Sequence, residues 1–239
     1  MIRLSRGEKP AELCEKEHML TEHFMRNKNN NVWVKDYITK PLMKMSHGKC
    51  AYCETWIDVP EVDHFLCKSK HPNRVVEWDN LLPSCHYCNC REKRSLNCEK
   101  TPIIDPSLEE PKKHLIFRNM LFSGRTPKGA DTVVLLNYNR RLSLANRYKN
   151  ARDMVSLRIE ACLADSAEDD IGKKRLYYKC FDLLELGQPE KNEYSAIYAT
   201  FIHEHSDFDA LKKKMRKLYL WKKDLRELDK VIQSNALGK

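Results

Sequence analysis

Two Cys-x-x-Cys pairs, Cys50/Cys53 (CAYC) and Cys85/Cys88 (CHYC), with 31 residues between them, constrain this chain more than any other feature. Each pair sets two thiolates on one tight turn, and two such turns can close a tetrahedral four-cysteine zinc site. With all four positions filled by protein, such a site is structural and leaves no position open to a substrate. Seven of the ten cysteines (Cys50, Cys53, Cys67, Cys85, Cys88, Cys90 and Cys98) lie within 49 residues, so the chemistry is expected between residues 50 and 100. Cys90 and Cys98, and more weakly His86, stand as alternative ligands. Cys14, Cys162 and Cys180 sit alone in helical-looking sequence and read as small buried hydrophobes. The opening MIRLSRGEKPAEL has no apolar stretch of signal-peptide length. The expected compartment is therefore the cytoplasm, where thiols stay reduced and clustered cysteines bind metal.

The rest of the chain reads as mostly helical. A polar helix is predicted over residues 8–27 and a second over 34–45, kinked or broken at Pro41. The segment 101–111, with three prolines, reads as an extended linker, and 114–122 and 131–138 (DTVVLLNY) as short strands. From Asn139 onward apolar residues recur at three-to-four spacing, with further helices predicted at 170–186, 190–205 and 207–233. The chain carries 43 Lys+Arg against 34 Asp+Glu, and the excess is local: residues 111–160 carry +8 and 205–239 carry +5, while 161–190 carry −3. A basic surface suits phosphate-rich partners, although solvated helix faces explain it equally well. No run of 18 apolar residues exists, so no membrane-spanning helix is expected. His203 and His205, at i and i+2 on a predicted helix, do not share a face and read as surface residues.

Between the cysteine pairs lies a second constellation: Val62-Asp63-His64-Phe65, then Asp79-Asn80-Leu81-Leu82-Pro83, then Cys88-Asn89. An Asp-His dipeptide alone indicates nothing about metal, but this one is nested between two cysteine knuckles. The order CAYC, VDHF, DNLLPSC, CHYCN resembles the HNH nuclease family in its zinc-knuckle form, over about residues 49–94. The resemblance implies a ββα-metal core in which His64 is the general base and Asp63 and Asn89 ligate one divalent cation, Mg2+ or Mn2+. In the same reading Asn80 braces the loop that orients His64, and Cys50, Cys53, Cys85 and Cys88 hold structural zinc. There are departures. The last family position is Asn89 rather than His, a known variant. Three residues later stands Glu92 instead of the frequent lysine, and Lys93 follows it, which leaves Lys93 without an assigned phosphate contact. Cys67 reads as a buried spectator thiol.

A wider resemblance spans most of the chain. The opening IRLSRGEKPAEL and the later PIIDPSLEEPKKHLIF are similar to the nuclease subunit of Septu-type anti-phage systems, including retron-linked ones. That similarity implies an effector nuclease acting on DNA or on RNA such as tRNA, with an ABC/SMC-like ATPase subunit as partner. In retron-linked versions it also implies a reverse transcriptase with its RNA and DNA. The expected architecture is α+β and mainly helical: an N-terminal helical segment (1–48), an HNH core with its knuckle (49–100), and a mostly helical C-terminal domain (101–239). The stripe Leu211, Met215, Leu218, Leu225, Leu228 and Val231 reads as core-facing or as a docking face for the ATPase. The reading from a different class is a zinc-knuckle nucleic-acid-binding or scaffold module with an inactive site.

Overall fold

A computed structural model describes residues 1–238, which form two compact units. The first comprises residues 1–114 and 124–138, and the second the described residues of 115–123 and 139–238.

In the first unit, α1 (Ala11–Arg26) begins after Pro10, carries Glu12 in its first turn and Arg26 in its last, and buries Leu13, Leu20 and Phe24. Those charges complement the helix dipole. In α2 (Asp36–Met45), Ile38, Leu42 and Met45 form the buried stripe, and Pro41 sits inside the helix rather than ending it. Two short antiparallel strands follow, β1 (Glu61–His64) and β2 (Leu81–Ser84), with Val62 opposite Pro83 and Asp63 opposite Leu82. From β2 the chain runs directly into a short π-helical segment, Tyr87–Lys93. Its wide turn is closed by the Arg94 amide, which donates to the Asn89 carbonyl five residues back at 2.8 Å. Such segments are rare and frequent at functional sites.

Two expectations for this unit change. The proline-rich stretch is no free linker: Ile103, Ile104 and Asp105 are buried, Leu4 donates to the Pro106 carbonyl, and Ile104 donates to Thr132 Oγ1 at 2.9 Å. The stretch 131–138, read as a strand from its β-branched residues, lies mostly in α3 (Pro127–Leu135). A local start signal overrides the propensity there: Thr126 caps the Gly129 amide and Pro127 occupies the first turn. Gly129 is required at that point, because a Cβ would meet the His114 carbonyl oxygen at 1.9 Å. Cys14 differs from expectation as well; it is exposed on α1.

The second unit opens with β3 (Leu115–Arg118) and β4 (Leu121–Gly124), whose turn places Asn119 and Met120 at φ 51° and 66°. Two consecutive left-handed residues are what a tight hairpin turn demands. Five helices follow: α4 (Leu142–Ala164), α5 (Asp170–Glu185), α6 (Ser195–Glu204), α7 (Phe208–Lys217) and α8 (Lys223–Asn235). Val155, Ile159, Leu176, Leu183, Leu211, Met215, Leu225 and Ile232 belong to one apolar cluster, joined by Cys162 and Cys180. The single helix expected over 207–233 is two helices. Tyr219 at φ 58° interrupts it, and the Leu220 amide donates back to the Met215 carbonyl. The break shifts the phase, so Ile232 faces the core and Val231 is exposed. Leu211, Met215, Leu225 and Leu228 are buried in this unit, which leaves little of that stripe for a partner. His203 is not a surface residue: its side chain is 14% exposed and its Nε2 lies 3.5 Å from Asp229 Oδ1. At the end of α4, Lys214 Nζ donates to the Cys162, Leu163 and Asp165 carbonyls, which a helix C-terminus leaves unpaired. No helix among the described residues is long and apolar enough to cross a membrane.

Candidate functional site

Cys50 and Cys53 lie on a turn closed by bonds from the Cys50 amide to the Thr55 carbonyl and from the Glu54 amide to the Cys50 carbonyl. The Ala51 amide donates to the Pro83 carbonyl at 2.9 Å and so fixes this turn to β2. Cys85 follows β2 and Cys88 lies in the π-helical segment, so the second turn joins strand to helix. The four sulfurs lie within 4.8 Å of one another, and Cys53 Sγ is 3.7 Å from Cys85 Sγ. A tetrahedral zinc–thiolate site with bonds of about 2.3 Å has sulfur–sulfur edges of about 3.8 Å, so this donor set fits zinc. Hydrogen bonding from Cys50 pulls the Cys85 thiol down to about 7, whereas burial pushes the Cys50 thiol well up. Neither alternative cysteine joins the cluster: Cys90 is exposed beside Glu61, and Cys98 faces the Leu96 carbonyl.

Beside this cluster, an open cleft of about 530 Å³ is lined by Asp63, His64 and Asn89, with Trp33, Lys68 and Arg94 around them. Strand alternation sends the first two to different surroundings. The buried His64 ring meets Trp33 edge-on, with centroids 4.6 Å apart, and its Nε2 is 2.8 Å from the Val75 carbonyl oxygen. The ring nitrogen facing a carbonyl must carry the hydrogen, which leaves the other nitrogen with the lone pair. Burial lowers the His64 pKa to about 4, with Asp63 opposing the shift, so the imidazole is neutral at neutral pH.

Asp63 is 2% exposed and both of its carboxylate oxygens are engaged. Tyr52 donates its hydroxyl to Oδ2 at 2.6 Å, and Lys93 Nζ lies 3.1 Å from Oδ1. The same ammonium donates to the His64 carbonyl at 2.7 Å. Lys93 is therefore a buried clamp on the end of β1, a place that nothing in the sequence pattern assigned to it. Burial pushes the Tyr52 phenol up, so it remains a donor.

Asn80 closes the loop that follows His64. Its Oδ1 accepts from the Leu66 amide at 2.7 Å, its Nδ2 donates to the Leu66 and Arg74 carbonyls, and its own carbonyl accepts from the Phe65 amide. Asn89 shares the cleft with Asp63, but its amide donates to Glu61 Oε2 at 3.0 Å rather than meeting the Asp63 carboxylate. Glu61 lines this cleft without a role assigned from the sequence, and His86, the weaker alternative zinc ligand, stands apart from the four-cysteine cluster. They are joined by a 2.7 Å contact between His86 Nδ1 and Glu61 Oε1.

Against known proteins, the chain is 35% identical to Septu protein PtuB of Bacillus thuringiensis over 99% of its own length and 95% of that protein. It is 28% identical to Septu protein PtuB of Bacillus mycoides (strain KBAB4) over 53% of this chain and 55% of that protein. No protein-family profile matches it, and no solved structure does.

Proposed function

Because the chain belongs to the Septu PtuB family, we propose that it is the effector nuclease of a Septu-type anti-phage system, an HNH endonuclease hydrolysing phosphodiester bonds in DNA or RNA. The observation that carries this reading is the convergence of Asp63, His64 and Asn89 on one cleft beside a four-cysteine cluster. They are set there by an antiparallel strand pair and a short helix in ββα order. A zinc ion on Cys50, Cys53, Cys85 and Cys88 would lock the helix to the strands. Neutral His64 is the base that takes a proton from the attacking water. Asp63 and Asn89 would hold Mg2+ or Mn2+. Asp63 can do so while keeping Lys93, since each carboxylate oxygen has two lone pairs. When bound, such a cation polarises the scissile phosphate and stabilises the leaving 3′ oxygen. In this reading its partner is an ABC/SMC-like ATPase, with a reverse transcriptase and its RNA and DNA in retron-linked assemblies.

The engagement of both Asp63 oxygens by Tyr52 and Lys93 favours a second reading, a zinc-knuckle binding module without hydrolytic activity. One experiment separates the two: incubate the protein, alone and with any ATPase encoded beside its gene, with labelled DNA and total RNA in Mg2+ or Mn2+. Cleavage that disappears in His64→Gln supports the nuclease. Binding without cleavage in every mixture supports the module.

A further inference from the structure

Glu61, His86 and Cys90 bring a carboxylate, an imidazole and a thiol together outside the four-cysteine cluster. Their ligand atoms all lie within 4.8 Å of one another. Glu61 is the hub: Oε1 meets His86 Nδ1 at 2.7 Å, and Oε2 is 3.5 Å from Cys90 Sγ. The three come from two elements that β pairing and the paired cysteines bring together, Glu61 from the start of β1, His86 from the cap of the π-helical segment and Cys90 from within it. His86 and Cys90 are exposed and Glu61 partly so, which gives a cation direct entry from solvent.

We propose that Glu61, His86 and Cys90 form a second cation site, selective for a borderline metal such as Zn2+ over Mg2+. Carboxylate, imidazole and thiolate are zinc donors, whereas Mg2+ prefers an all-oxygen shell. Three protein ligands leave the fourth position to water, so this site is open where the knuckle is closed. Binding displaces the thiol proton to solvent and replaces the contacts that Glu61 now makes with its neighbours. The inference does not rest on the nuclease reading, because it concerns metal uptake alone.

The test is zinc titration of the full chain after its tightly held zinc has been counted. Intact protein is expected to take up one further equivalent per chain, undisturbed by millimolar Mg2+. His86→Ala and Cys90→Ser should each weaken that equivalent at least tenfold while the first is retained. With Co2+ as probe, Cys90→Ser should remove the sulfur-to-metal absorption that accompanies the second equivalent. Asn89→Ala should leave the second equivalent in place, since Asn89 belongs to the cation assigned with Asp63. Uptake of only one equivalent by intact protein would overturn the proposal. So would a second equivalent unchanged in His86→Ala and Cys90→Ser, or one lost in Asn89→Ala. Because His86 and Cys90 are exposed, both variants should melt with the parent, and the comparison stays interpretable.

Discussion

In the unit that carries the four-cysteine cluster, Tyr52, Lys49 and Lys93 are among the largest fully buried side chains; the helical unit buries Leu176, Leu183, Leu225 and Met215 in their place. The first unit has two short strands, no long helix pair, and ionic groups inside it: Lys93 on Asp63, and Lys49 near Glu54. Buried ion pairs add little net stability, because desolvation offsets most of their attraction, but they fix geometry. The second unit has the opposite construction, an apolar cluster contributed by five helices. Positions in the cleft are thus set by buried polar contacts, whereas the helical unit rests on area removed from water.

The largest expected effect separates the two units outright. Replacing Cys85 and Cys88 together by Ser removes the metal anchor, whose binding supplies on the order of 10 kcal/mol in small zinc units. Metal analysis should lose one zinc per chain, and hydrogen exchange should show deprotection of residues 49–94 with α4 to α8 unchanged. Joint loss of protection in both units would break the contrast. Next comes activity: His64→Gln should lower cleavage by roughly 10²–10⁴-fold, the usual worth of a general base. Glutamine is preferable to alanine, because His64 packs on Trp33 and alanine would add a cavity cost. Zinc content should not change.

Lys93→Met leaves Asp63 buried without its cation and should cost about 3–5 kcal/mol, read from denaturant midpoints of the first unit. Leu176→Ala is the matched experiment in the second unit, with an expected loss of about 2–5 kcal/mol from transfer and cavity terms and no effect on zinc. If Lys93→Met proves milder than Leu176→Ala, the buried clamp matters less than its position suggests.

The smallest effect concerns acid. Arg175 and Lys179 hold the Asp165 carboxyl well below the usual carboxylate range. A folded pKa below the unfolded one, near 3.9, contributes stability that is present above that value and lost as pH falls through it. Asp165→Asn should therefore lower the second unit's stability modestly at pH 7 and flatten the acid limb of its stability curve below about pH 4, where variant and parent converge. Arg175 and Lys179 are partly exposed, so salt should weaken the effect.

The knuckle was legible because spacing alone brings two thiols to each turn, and the amphipathic helices because their period is local. The clamp on Asp63 was not legible. Tyr52 and Lys93 stand 11 and 30 residues from their carboxylate, and only the β1–β2 pairing and the helical turn after it bring them close. α3 was hidden for a different reason. Its Val133, Val134 and Leu135 have strand propensity, and the decisive signal lay upstream in Thr126 and Pro127. The helix break at Tyr219 was equally hidden, since no glycine marks that left-handed position.

The chain leaves the first unit after His114, returns at Gly124 and leaves again after Tyr138. On that return Tyr138 donates its hydroxyl to the Tyr52 carbonyl at 2.7 Å, between the two cysteines of the first knuckle. A ribosome adding about 5–20 residues per second therefore exposes all four cysteines well before the residue that closes over them. Any metal that the four cysteines take up can therefore bind before Tyr138 is made and the unit around them is complete.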